Sequence, residues 1–401
     1  MKRTNIIELK PNKIQKKILK EMLVLSSSVY NQCNYLVRQC FFKQKKIPSF
    51  YDLQQDVQKN DDYKLLGRSY SLPRIQIYSE TNSSRFKLIK SKTQKKVGLP
   101  MYYKNRKTNT TLPSYLVMDN CQYCVDKNKV RIPLSMKMRK KYSLKNFNIH
   151  YNGILKHKGL QKRGQIHYKD NKFYLYQSVE LKDSKEVTSQ SVLGIDIGIK
   201  RIVSTITNNG ISLNIGSNRF FRQWNYLTKL IAEEQSKLMN INRRMSKKLS
   251  SMFSKRKKYI NTLFNNVVSK LFRFIKRSDV SIVCVGDVKN IRKDNNKSKK
   301  VNQMIHNYWS FDLLYKKIQN KCEEYGLKLI KVTEEYTSKT CPICGECSKH
   351  NIKDRIFVCN MCSYVDDRDV VGARNIMFKG MNSLDKSVHW NEIVPLEEGY
   401  S

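Results

Sequence analysis

Two closely spaced cysteine pairs constrain the fold of this chain more than any other feature of its sequence. The pairs are Cys-Pro-Ile-Cys at 341–344 and Cys-Asn-Met-Cys at 359–362, with fourteen residues between the inner cysteines. Each pair forms a tight turn with both thiolates on one side, and a short hairpin closes the two turns around one tetrahedral metal ion. Four protein ligands leave no open position for water, so the role is structural. We therefore predict a zinc ribbon over 341–362 with the ligands Cys341, Cys344, Cys359 and Cys362.

The other cysteines give weaker signals. Cys347 and His350 compete as zinc ligands, but the second pair makes them unnecessary. Cys121 and Cys124 form a lone pair within a strand-like region, and we predict that they pack there rather than bind metal. Eleven cysteines in a chain without a secretory signal indicate reduced thiols and metal ligation rather than a disulfide framework.

The charge of the chain indicates a nucleic-acid partner. It carries 77 lysines and arginines against 33 aspartates and glutamates, a formal charge of +44 that is spread along most of its length. Such a surface repels itself unless a polyanion neutralises it, and DNA or RNA is the usual polyanion. Ribosomal proteins share this charge but rarely reach 401 residues.

The apolar stretches do not indicate export or a membrane. Lysine interrupts each apolar run in residues 1–20, unlike a secretory signal. No apolar stretch approaches the roughly 20 residues that a membrane-spanning helix needs. We expect an intracellular protein with no membrane partner, in the cytoplasm or nucleoid of a prokaryote or in the nucleus in a eukaryotic or viral setting.

The first half of the chain changes from helical to strand-like periodicity. Apolar residues recur every three or four positions over 13–45 and predict a long helix, and a polar, helix-compatible region with breaks continues to about residue 95. From about 99 to 181, short alternating runs separated by turn residues predict an antiparallel β module. The polar segment 182–191 is predicted to be a linker.

The second half has the pattern of an α/β domain. Three strands in hairpin order followed by alternating helices and strands is the arrangement of an RNase H-like sheet. The net-acidic end, 380–401, is predicted to be a loose tail. The predicted elements are strands at Val192–Ile197, Ile202–Ile206 and Ile211–Ile215, basic helices over about 218–247 and 250–277, a strand at Ser281–Val285, a helix at Tyr308–Tyr325 and a strand at Leu327–Val332.

Two acidic residues stand out against this pattern. Asp196 lies inside an otherwise apolar first strand, where a buried carboxylate needs a partner such as a divalent cation or a hydrogen-bond donor. Asp369 lies directly after the ribbon, at the predicted start of a helix, where the helix dipole favours an acid. Asp369 is therefore a candidate for a helix cap, a metal ligand or both.

These motifs together resemble the TnpB family, the transposon-encoded RNA-guided nucleases related to eukaryotic Fanzor proteins and CRISPR type V effectors. The resemblance is carried by Gly-Ile-Asp-Ile-Gly at 194–198, Glu-Glu-Tyr-Thr-Ser-Lys-Thr-Cys-Pro-Ile-Cys-Gly at 334–345 and Asp-Val-Val-Gly-Ala-Arg-Asn-Ile at 369–376. The N-terminal half matches in outline only, with Tyr30-Asn31 where the family often has a Tyr-Asn pair.

The resemblance implies a multidomain α/β protein with a RuvC nuclease core. It implies a guide RNA, a double-stranded DNA target with an adjacent recognition motif, and Mg²⁺ or Mn²⁺ in addition to Zn²⁺; the transposase of the same element is a further candidate partner. The implied domains are a β-barrel wedge module (1–10 and 96–181), a helical recognition insert (11–95), the RuvC domain (192–340 and 363–379) and the zinc ribbon, which would bind target nucleic acid.

The chain departs from the family at the middle catalytic acid. The family usually has a glutamate where this chain has Gly286, and neighbouring Asp287 points to the opposite face of the strand. Glu334 continues the apolar face of Ile330 and Val332 at period two, as in members with a relocated glutamate. We therefore predict Asp196, Glu334 and Asp369 as the catalytic, Mg²⁺-binding acids, with Glu335 as the weaker alternative for the middle position.

Several basic residues are candidates for nucleic-acid contact. Arg374 lies one helical turn beyond Asp369, where it would reach the scissile phosphate or remain a surface arginine. The other candidates lie on the two basic helices and would contact phosphates of a guide–target duplex; they are Arg243, Arg244, Lys247, Lys248, Lys255, Arg256, Lys257 and Lys258.

Two alternatives to an RNA-guided DNA endonuclease remain open at the level of sequence. Gly286 allows a guided DNA-binding protein that does not cleave and acts as a repressor, although the intact Asp196 and Asp369 argue against it. The ribbon also allows a DNA-binding accessory factor of transposition that uses no RNA.

Overall fold

The computed structural model describes residues 1–44, 46–91, 97–198, 201–216, 218–287, 311–347, 351–353 and 355–384. The chain divides into two compact units, Met1–Lys182 and a second that begins at Asp183. This division falls at the start of the segment predicted as a linker. None of the helices in the described residues combines the length and apolar character that crossing a bilayer requires.

The first unit combines helices with an antiparallel sheet. Its elements, in chain order, are β1 (Lys2–Lys10), α1 (Lys13–Gln44), α2 (Phe50–Val57), α3 (Asp61–Leu66), α4 (Arg68–Lys90), β2 (Tyr115–Met118), β3 (Cys124–Val125), β4 (Lys129–Arg131), α5 (Met136–Tyr142), β5 (Asn148–Asn152), β6 (Leu160–Lys169) and β7 (Lys172–Glu180).

The sheet of the first unit has seven strands in the order β2-β6-β7-β1-β5-β4-β3. Strand β7 alternates buried and half-buried residues along most of its length, as expected for a sheet that packs on one face. In the described residues β2 and β3, at the two ends of this order, do not pair. No closed barrel is therefore found, because the last strands are only two to four residues long and leave the sheet open.

The helices and the sheet of the first unit share one core. Ile7 and Leu9 of β1 belong to the same buried cluster as Leu19 and Met22 of α1. The predicted helix over 13–45 is confirmed as α1, and the helical region that follows it as α2 to α4. The helical segment is therefore packed on the strands and has no separate core of its own.

The second unit contains a mixed sheet, flanking helices and a small ribbon. Its elements are β8 (Ser191–Asp196), β9 (Val203–Thr207), β10 (Ser212–Ile215), α6 (Asn218–Asn240), α7 (Lys247–Arg277), β11 (Val280–Asp287), α8 (Phe311–Tyr325), β12 (Lys328–Thr333), β13 (Asn351–Lys353), β14 (Ile356–Val358), β15 (Val365–Asp367) and α9 (Arg368–Asn382).

The main sheet of this unit has the order β10-β9-β8-β11-β12. Strands β8, β9 and β10 pair antiparallel, whereas β11 runs parallel to both β8 and β12. The predicted sequence of three hairpin strands followed by alternating helices and strands is confirmed. The start of the helix predicted from Tyr308 lies outside the described residues.

Two predicted boundaries in this unit are wrong. Helix α6 ends at Asn240 instead of about 247, and α7 begins at Lys247. The reason is local: Asn242 has a positive φ of 50°, and the Ser246 hydroxyl accepts a hydrogen bond from the Leu249 N–H at 3.0 Å as the N-cap of α7. At the other end, α9 continues to Asn382 into the predicted tail, of which residues 385–401 lie outside the described residues.

The two faces of the main sheet pack on different helices. Leu193, Ile195, Val283 and Val285 pack with α7 and α8 on one face. Val192, Ile282, Cys284 and Val332 pack with α9 on the other face. Because strand side chains alternate, Asp196, Gly286 and Glu334 are directed to the α9 face.

Candidate metal centres

The two cysteine pairs converge in the ribbon formed by β13, β14 and β15. The Sγ atoms of Cys341, Cys344, Cys359 and Cys362 all lie within 4.8 Å of one another. Sγ of Cys341 is 3.6 Å from that of Cys362, and the same distance separates Cys344 from Cys359. Four sulfurs around zinc at about 2.3 Å each would be spaced by nearly this distance, whereas a disulfide bond is about 2 Å long. The residues present therefore fit a structural zinc ion.

Both turns have the same backbone geometry. Hydrogen bonds from the backbone N–H groups of Cys362 and Met361 lower the pKa of the Cys359 thiol to about 6. Cys341 accepts the equivalent bonds from Cys344 and Ile343, although burial raises its pKa to about 12. N–H donors aimed at sulfur stabilise a thiolate, the form that binds metal.

The remaining cysteines do not join this cluster. Cys347 is exposed and pairs with Thr340 through a backbone bridge, while His350 lies outside the described residues. Cys121 and Cys124 are both exposed, so the prediction that they pack in the β module is wrong. It is Tyr123 between them that is buried; its hydroxyl donates to the Lys162 carbonyl at 2.8 Å.

Asp196 ends strand β8 beneath the first turn of α9. A Cβ atom added at Gly372 would lie 2.9 Å from Oδ2 of Asp196, so glycine permits this close approach. Burial raises the pKa of Asp196 to about 6, and the negative charge of Asp369 adds to the rise. The charge of Arg368 and the Ile197 N–H offset only part of this rise, so the ionised form is costly here unless a further cation is close.

Glu334 reaches into the space above Gly286. A Cβ atom added at Gly286 would lie 2.7 Å from Cγ and 2.9 Å from Cδ of Glu334, so any larger residue there would force the Glu334 side chain to move. Val285 pairs with Ile195 on the neighbouring strand, which places Gly286 beside Asp196. Adjacent strands are about 4.8 Å apart, so the Glu334 carboxyl group lies one strand away from Asp196.

The two neighbouring acids lie elsewhere. Asp287 forms an ion pair with Lys331 at 2.7 Å, and Lys331 in turn lies 4.9 Å from the ring centroid of Tyr315 on α8. Asp287 is thus on the face opposite α9, as its position in the strand predicts. Glu335 is exposed.

Asp369 is the second residue of α9, and the cap of this helix is Asp367. The Asp367 carboxylate accepts a hydrogen bond from the Asp369 N–H at 2.9 Å. Because Asp367 caps the helix, the carboxylate of Asp369 is left for other contacts. Its Oδ2 atom lies 2.9 Å from Nη1 of Arg355 and 3.3 Å from Nη1 of Arg201.

The three predicted acids are more widely spread than the cysteines. Among the described residues, the four cysteines are the set whose ligand atoms all lie within 4.8 Å of one another. The acids nevertheless occupy one face at the ends of β8 and β12 and the start of α9. Carboxylate oxygens are the ligands that Mg²⁺ and Mn²⁺ prefer, and a spread set suits two ions about 3.5–4 Å apart better than one.

Arg374 is buried, so its interpretation as an exposed surface arginine is wrong. Its guanidinium donates to the Tyr364 hydroxyl at 2.7 Å and lies 3.6 Å from Oδ2 of Asp366. These contacts join α9 to the last strand of the ribbon. Contact with a scissile phosphate stays a prediction.

The basic candidates on and before α7 are mostly exposed. Arg256 is half-buried over the Phe253 ring, and Lys248 forms an ion pair with Glu234 at 2.8 Å. The remaining candidates present their charges to solvent and are Arg243, Arg244, Lys247, Lys255, Lys257 and Lys258. Their role in binding nucleic acid stays a prediction.

Sequence reasoning missed the residues that surround Asp369. The acidic run Asp366-Asp367-Arg368-Asp369 signals a helix start, and this would have identified Asp367 as the cap. Arg201 and Arg355 approach from distant parts of the chain, and no local pattern marks them.

Comparisons with known proteins agree with this architecture. Residues 176–292 match the family model described as a probable transposase (OrfB_IS605), and residues 311–376 match the model described as the TNB domain of Cas12f1-like proteins. A TnpB-like protein of Acidianus two-tailed virus is 28% identical over 96% of this chain and 88% of its own length. A CRISPR-associated endodeoxyribonuclease Cas12f1 of Sulfoacidibacillus thermotolerans is 38% identical over 19% of this chain and 18% of its own length.

A solved structure shows the same fold. The protein in a Cas12f1 complex with single guide RNA and target DNA matches with a TM-score of 0.59 and 17% identity, over 91% of this chain and 83% of that one. The fold and the ribbon thus define an α/β protein of the architecture seen in Cas12 nucleases. The family-model matches and the TnpB-like relatives together support a place for this chain among TnpB-like proteins.

Proposed function

We propose that this protein is an RNA-guided DNA endonuclease of a mobile element, with a RuvC-type active site at Asp196, Glu334 and Asp369. The observation that carries the proposal is the Glu334 carboxyl group, which fills the space above Gly286 beside Asp196. In this proposal an acid from a neighbouring strand takes the position that the family usually fills from β11. Relatives named as RNA-guided or CRISPR-associated endodeoxyribonucleases support this class of activity.

The acids define what the chain itself contributes to the reaction. Mg²⁺ or Mn²⁺ ions, when bound, would supply activation of the attacking water and stabilisation of the leaving 3′ oxygen. Asp196 and Glu334 present their carboxylates from two parallel strands, and Asp369 presents its own from the start of α9. The strands and the helix fix the three backbones, so the ligands are positioned before any ion binds.

The zinc ribbon positions the last of these acids. It lies in the chain between Glu334 and Asp369, and its strand β15 ends at Asp367, directly before α9. Zinc bound by the four cysteines would hold this connection closed. We assign target binding to the ribbon, and contact with the guide–target duplex to the exposed cations of α7.

The first unit is the candidate for the wedge and recognition functions. We assign the wedge role to its seven-stranded sheet and the recognition role to helices α1 to α4, as the family resemblance implies. The formal charge of +44 supports a polyanionic partner such as a guide RNA with its target DNA.

A cleavage assay tests the proposal directly. The protein is expressed with RNA from its own locus, the bound RNA is sequenced, and the complex is incubated with a randomised-flank DNA library and Mg²⁺. We expect cleavage of guide-matched DNA beside one flanking motif. Binding without cleavage would select the guided repressor instead, and guide-independent binding by an RNA-free protein would select the accessory factor.

Paired glutamate variants test the active site. We expect Glu334→Gln to lower the cleavage rate by at least about a hundredfold, because a loss of roughly 3 kcal/mol in the transition state is typical for a group that stabilises developing charge. Glu335→Gln is the matched control and should cleave at the parental rate. Equal rates in the two variants would rule out Glu334 as the middle acid.

Gly286→Ala provides an independent variant of the same site. The added methyl group collides with the Glu334 side chain, which must move away. We expect cleavage to fall while guide RNA binding is kept, since the change is confined to the acid cluster. Cleavage at the parental rate would show that the position of the Glu334 carboxyl group is not needed.

A further inference from the structure

Two guanidinium groups meet the last acid of the cluster. Nη1 of Arg355 lies 2.9 Å and Nη1 of Arg201 lies 3.3 Å from the same Oδ2 atom of Asp369. Arg201 also forms an ion pair with Asp367, the cap of α9. One oxygen of a carboxylate that is proposed to bind a metal ion is therefore paired with two cations of the chain itself.

The two arginines come from different parts of the second unit. Arg201 belongs to the short connection between β8 and β9, five residues after Asp196. Arg355 belongs to the turn between β13 and β14 of the ribbon and has a positive φ of 72°. The arginine side chains are 29% and 40% exposed, respectively, and that of Asp369 is 20% exposed, so these pairs are shielded from solvent only in part.

A guanidinium group and a divalent ion compete for such an oxygen. Both neutralise a carboxylate, but the two cations repel each other and cannot both occupy the space in front of Oδ2. Mg²⁺ also demands near-ideal octahedral geometry at about 2.0–2.1 Å, and a second cation crowded against the same oxygen disturbs that arrangement. An ion that binds Asp369 through Oδ2 must therefore displace at least one arginine.

We propose that Arg201 is a positioning residue that serves as the internal counter-ion of the acid cluster. In the protein without Mg²⁺ it holds Asp367 and Asp369 together at the start of α9. When the ions bind, its guanidinium releases Asp369 and keeps its second anchor on Asp367. This inference rests on the proposed function, since it assumes that the acids bind divalent ions.

The second anchor is what distinguishes Arg201 from Arg355. Asp367 is fixed by the hydrogen bond that it accepts from the Asp369 N–H, so Arg201 remains attached to α9 after it releases Asp369. The contact of Arg355 with Oδ2 of Asp369 is the shorter one. Arg355 is nevertheless the weaker candidate for this role, because it is more exposed and lies on the ribbon.

Metal binding without nucleic acid tests the proposal. The zinc-loaded full-length protein is titrated with Mg²⁺, and the thermal unfolding midpoint is recorded at each concentration. Arg201→Gln removes the competing cation, so we expect the Mg²⁺ concentration for half-maximal stabilisation to fall about two- to fivefold, the range that corresponds to a partly exposed ion pair. We also expect a lower midpoint in the absence of Mg²⁺, because the acids then repel one another.

Two control variants separate charge from general damage. Arg201→Lys keeps the charge and should keep a half-maximal concentration near that of the parent. Arg163→Gln breaks a comparable ion pair in the first unit, 2.9 Å from Asp119 with side chains 34% exposed, and should leave the Mg²⁺ dependence unchanged. If Arg201→Gln does not fold, Arg355→Gln should show the same direction with a smaller change.

The outcomes distinguish this inference from the proposed function. An unchanged or raised half-maximal concentration in Arg201→Gln would overturn the counter-ion role. The proposed metal site itself is checked by Asp369→Asn, which should abolish most of the Mg²⁺-dependent stabilisation. Full stabilisation in Asp369→Asn would refute the metal site, whatever the result for Arg201.

Discussion

Single residues in this protein are held in positions that are unfavourable without a partner. Asp196 lies at the end of an apolar strand, where burial and the charge of Asp369 raise its pKa to about 6 from an ordinary 3.8. Arg74 is 1% exposed, and its guanidinium lies 4.1 Å from the ring centroid of Tyr115 and 4.9 Å from that of Tyr30. Aromatic faces offset the cost of burying this cation.

The raised pKa of Asp196 predicts an unusual effect of pH on stability. Because the folded state binds this proton more tightly than the unfolded state, stability from this group is present below about pH 4 and is lost as pH rises through about 6. Asp196→Asn removes the ionisable group. Without Mg²⁺, we therefore expect the variant to be more stable than the parent at pH 7.5 by about 1–3 kcal/mol.

Denaturant unfolding at pH 4 and pH 7.5 measures this effect. The difference between variant and parent should nearly vanish at pH 4, where Asp196 is protonated in the folded protein. Added Mg²⁺ should stabilise the parent at pH 7.5 more than the variant. A variant that is less stable than the parent at pH 7.5 would contradict the assignment of Asp196 as an acid whose burial is only partly compensated.

The helices and strands were largely predictable where periodicity is local. The spacing of Ile18, Leu19, Met22 and Leu23 defines α1, and alternation with Asn-Asn-Gly punctuation defines the hairpin of β9 and β10. The break at 241–246 was missed because its signals, the positive φ of Asn242 and the cap at Ser246, interrupt an otherwise continuous basic helical pattern. The open sheet of the first unit depends on pairing between distant strands, which sequence does not show.

The candidate site divides in the same way. The spacing of the four cysteines predicts the cluster that the structure shows. Asp196, Glu334 and Asp369 are predicted from the face of a strand and from family resemblance, and their roles stay a prediction. The contacts of Arg201 and Arg355 were not, because each arginine lies far from Asp369 along the chain. Long-range ion pairs of partly exposed residues leave no periodic trace in a sequence.

The ribbon predicts an effect of zinc on the start of α9. Removing zinc with a chelator leaves four thiols at close distance and frees the connection that ends in β15. We expect faster hydrogen exchange over Val365–Asp367 and a loss of Mg²⁺-dependent stabilisation, since Asp369 is then no longer held. Hydrogen exchange measured by mass spectrometry, before and after zinc is restored, checks this.

The zinc experiment has an internal control. Strands β6 and β7 belong to the first unit, and their exchange should not change when zinc is removed. Equal exchange over Val365–Asp367 with and without zinc would show that the ribbon holds its shape through Phe357 and its other buried residues alone.

The charge of the whole molecule exceeds what any one site requires. An excess of 44 positive charges distributed over two compact units indicates many weak interactions with phosphate groups rather than a few strong ones. The affinity for nucleic acid is therefore expected to depend steeply on salt, because each neutralised phosphate releases a counterion.

A triple variant measures the share of helix α7 in this effect. Replacing Lys255, Lys257 and Lys258 with alanine should lower the slope of log affinity against log salt by up to about 0.7–0.9 for each phosphate that the variant no longer neutralises. The triple lysine-to-arginine variant is the matched control and should keep the slope. Fluorescence anisotropy with the cognate guide RNA between roughly 50 and 300 mM salt measures both slopes. An unchanged slope in the alanine variant would place these lysines outside the nucleic-acid-binding surface.

Gly286 and Glu334 show that the position of a side chain in the fold does not follow from its position in the sequence alone. Either of two neighbouring strands can supply a carboxyl group to the same point in space. When the second strand supplies it, the first strand needs a glycine there to leave room. The absence of an acid from its usual sequence position is therefore not, by itself, evidence that such a protein has lost its activity. The informative sign is a glycine with an acid on the strand beside it, and a search for a glutamate at position 286 alone would overlook Glu334.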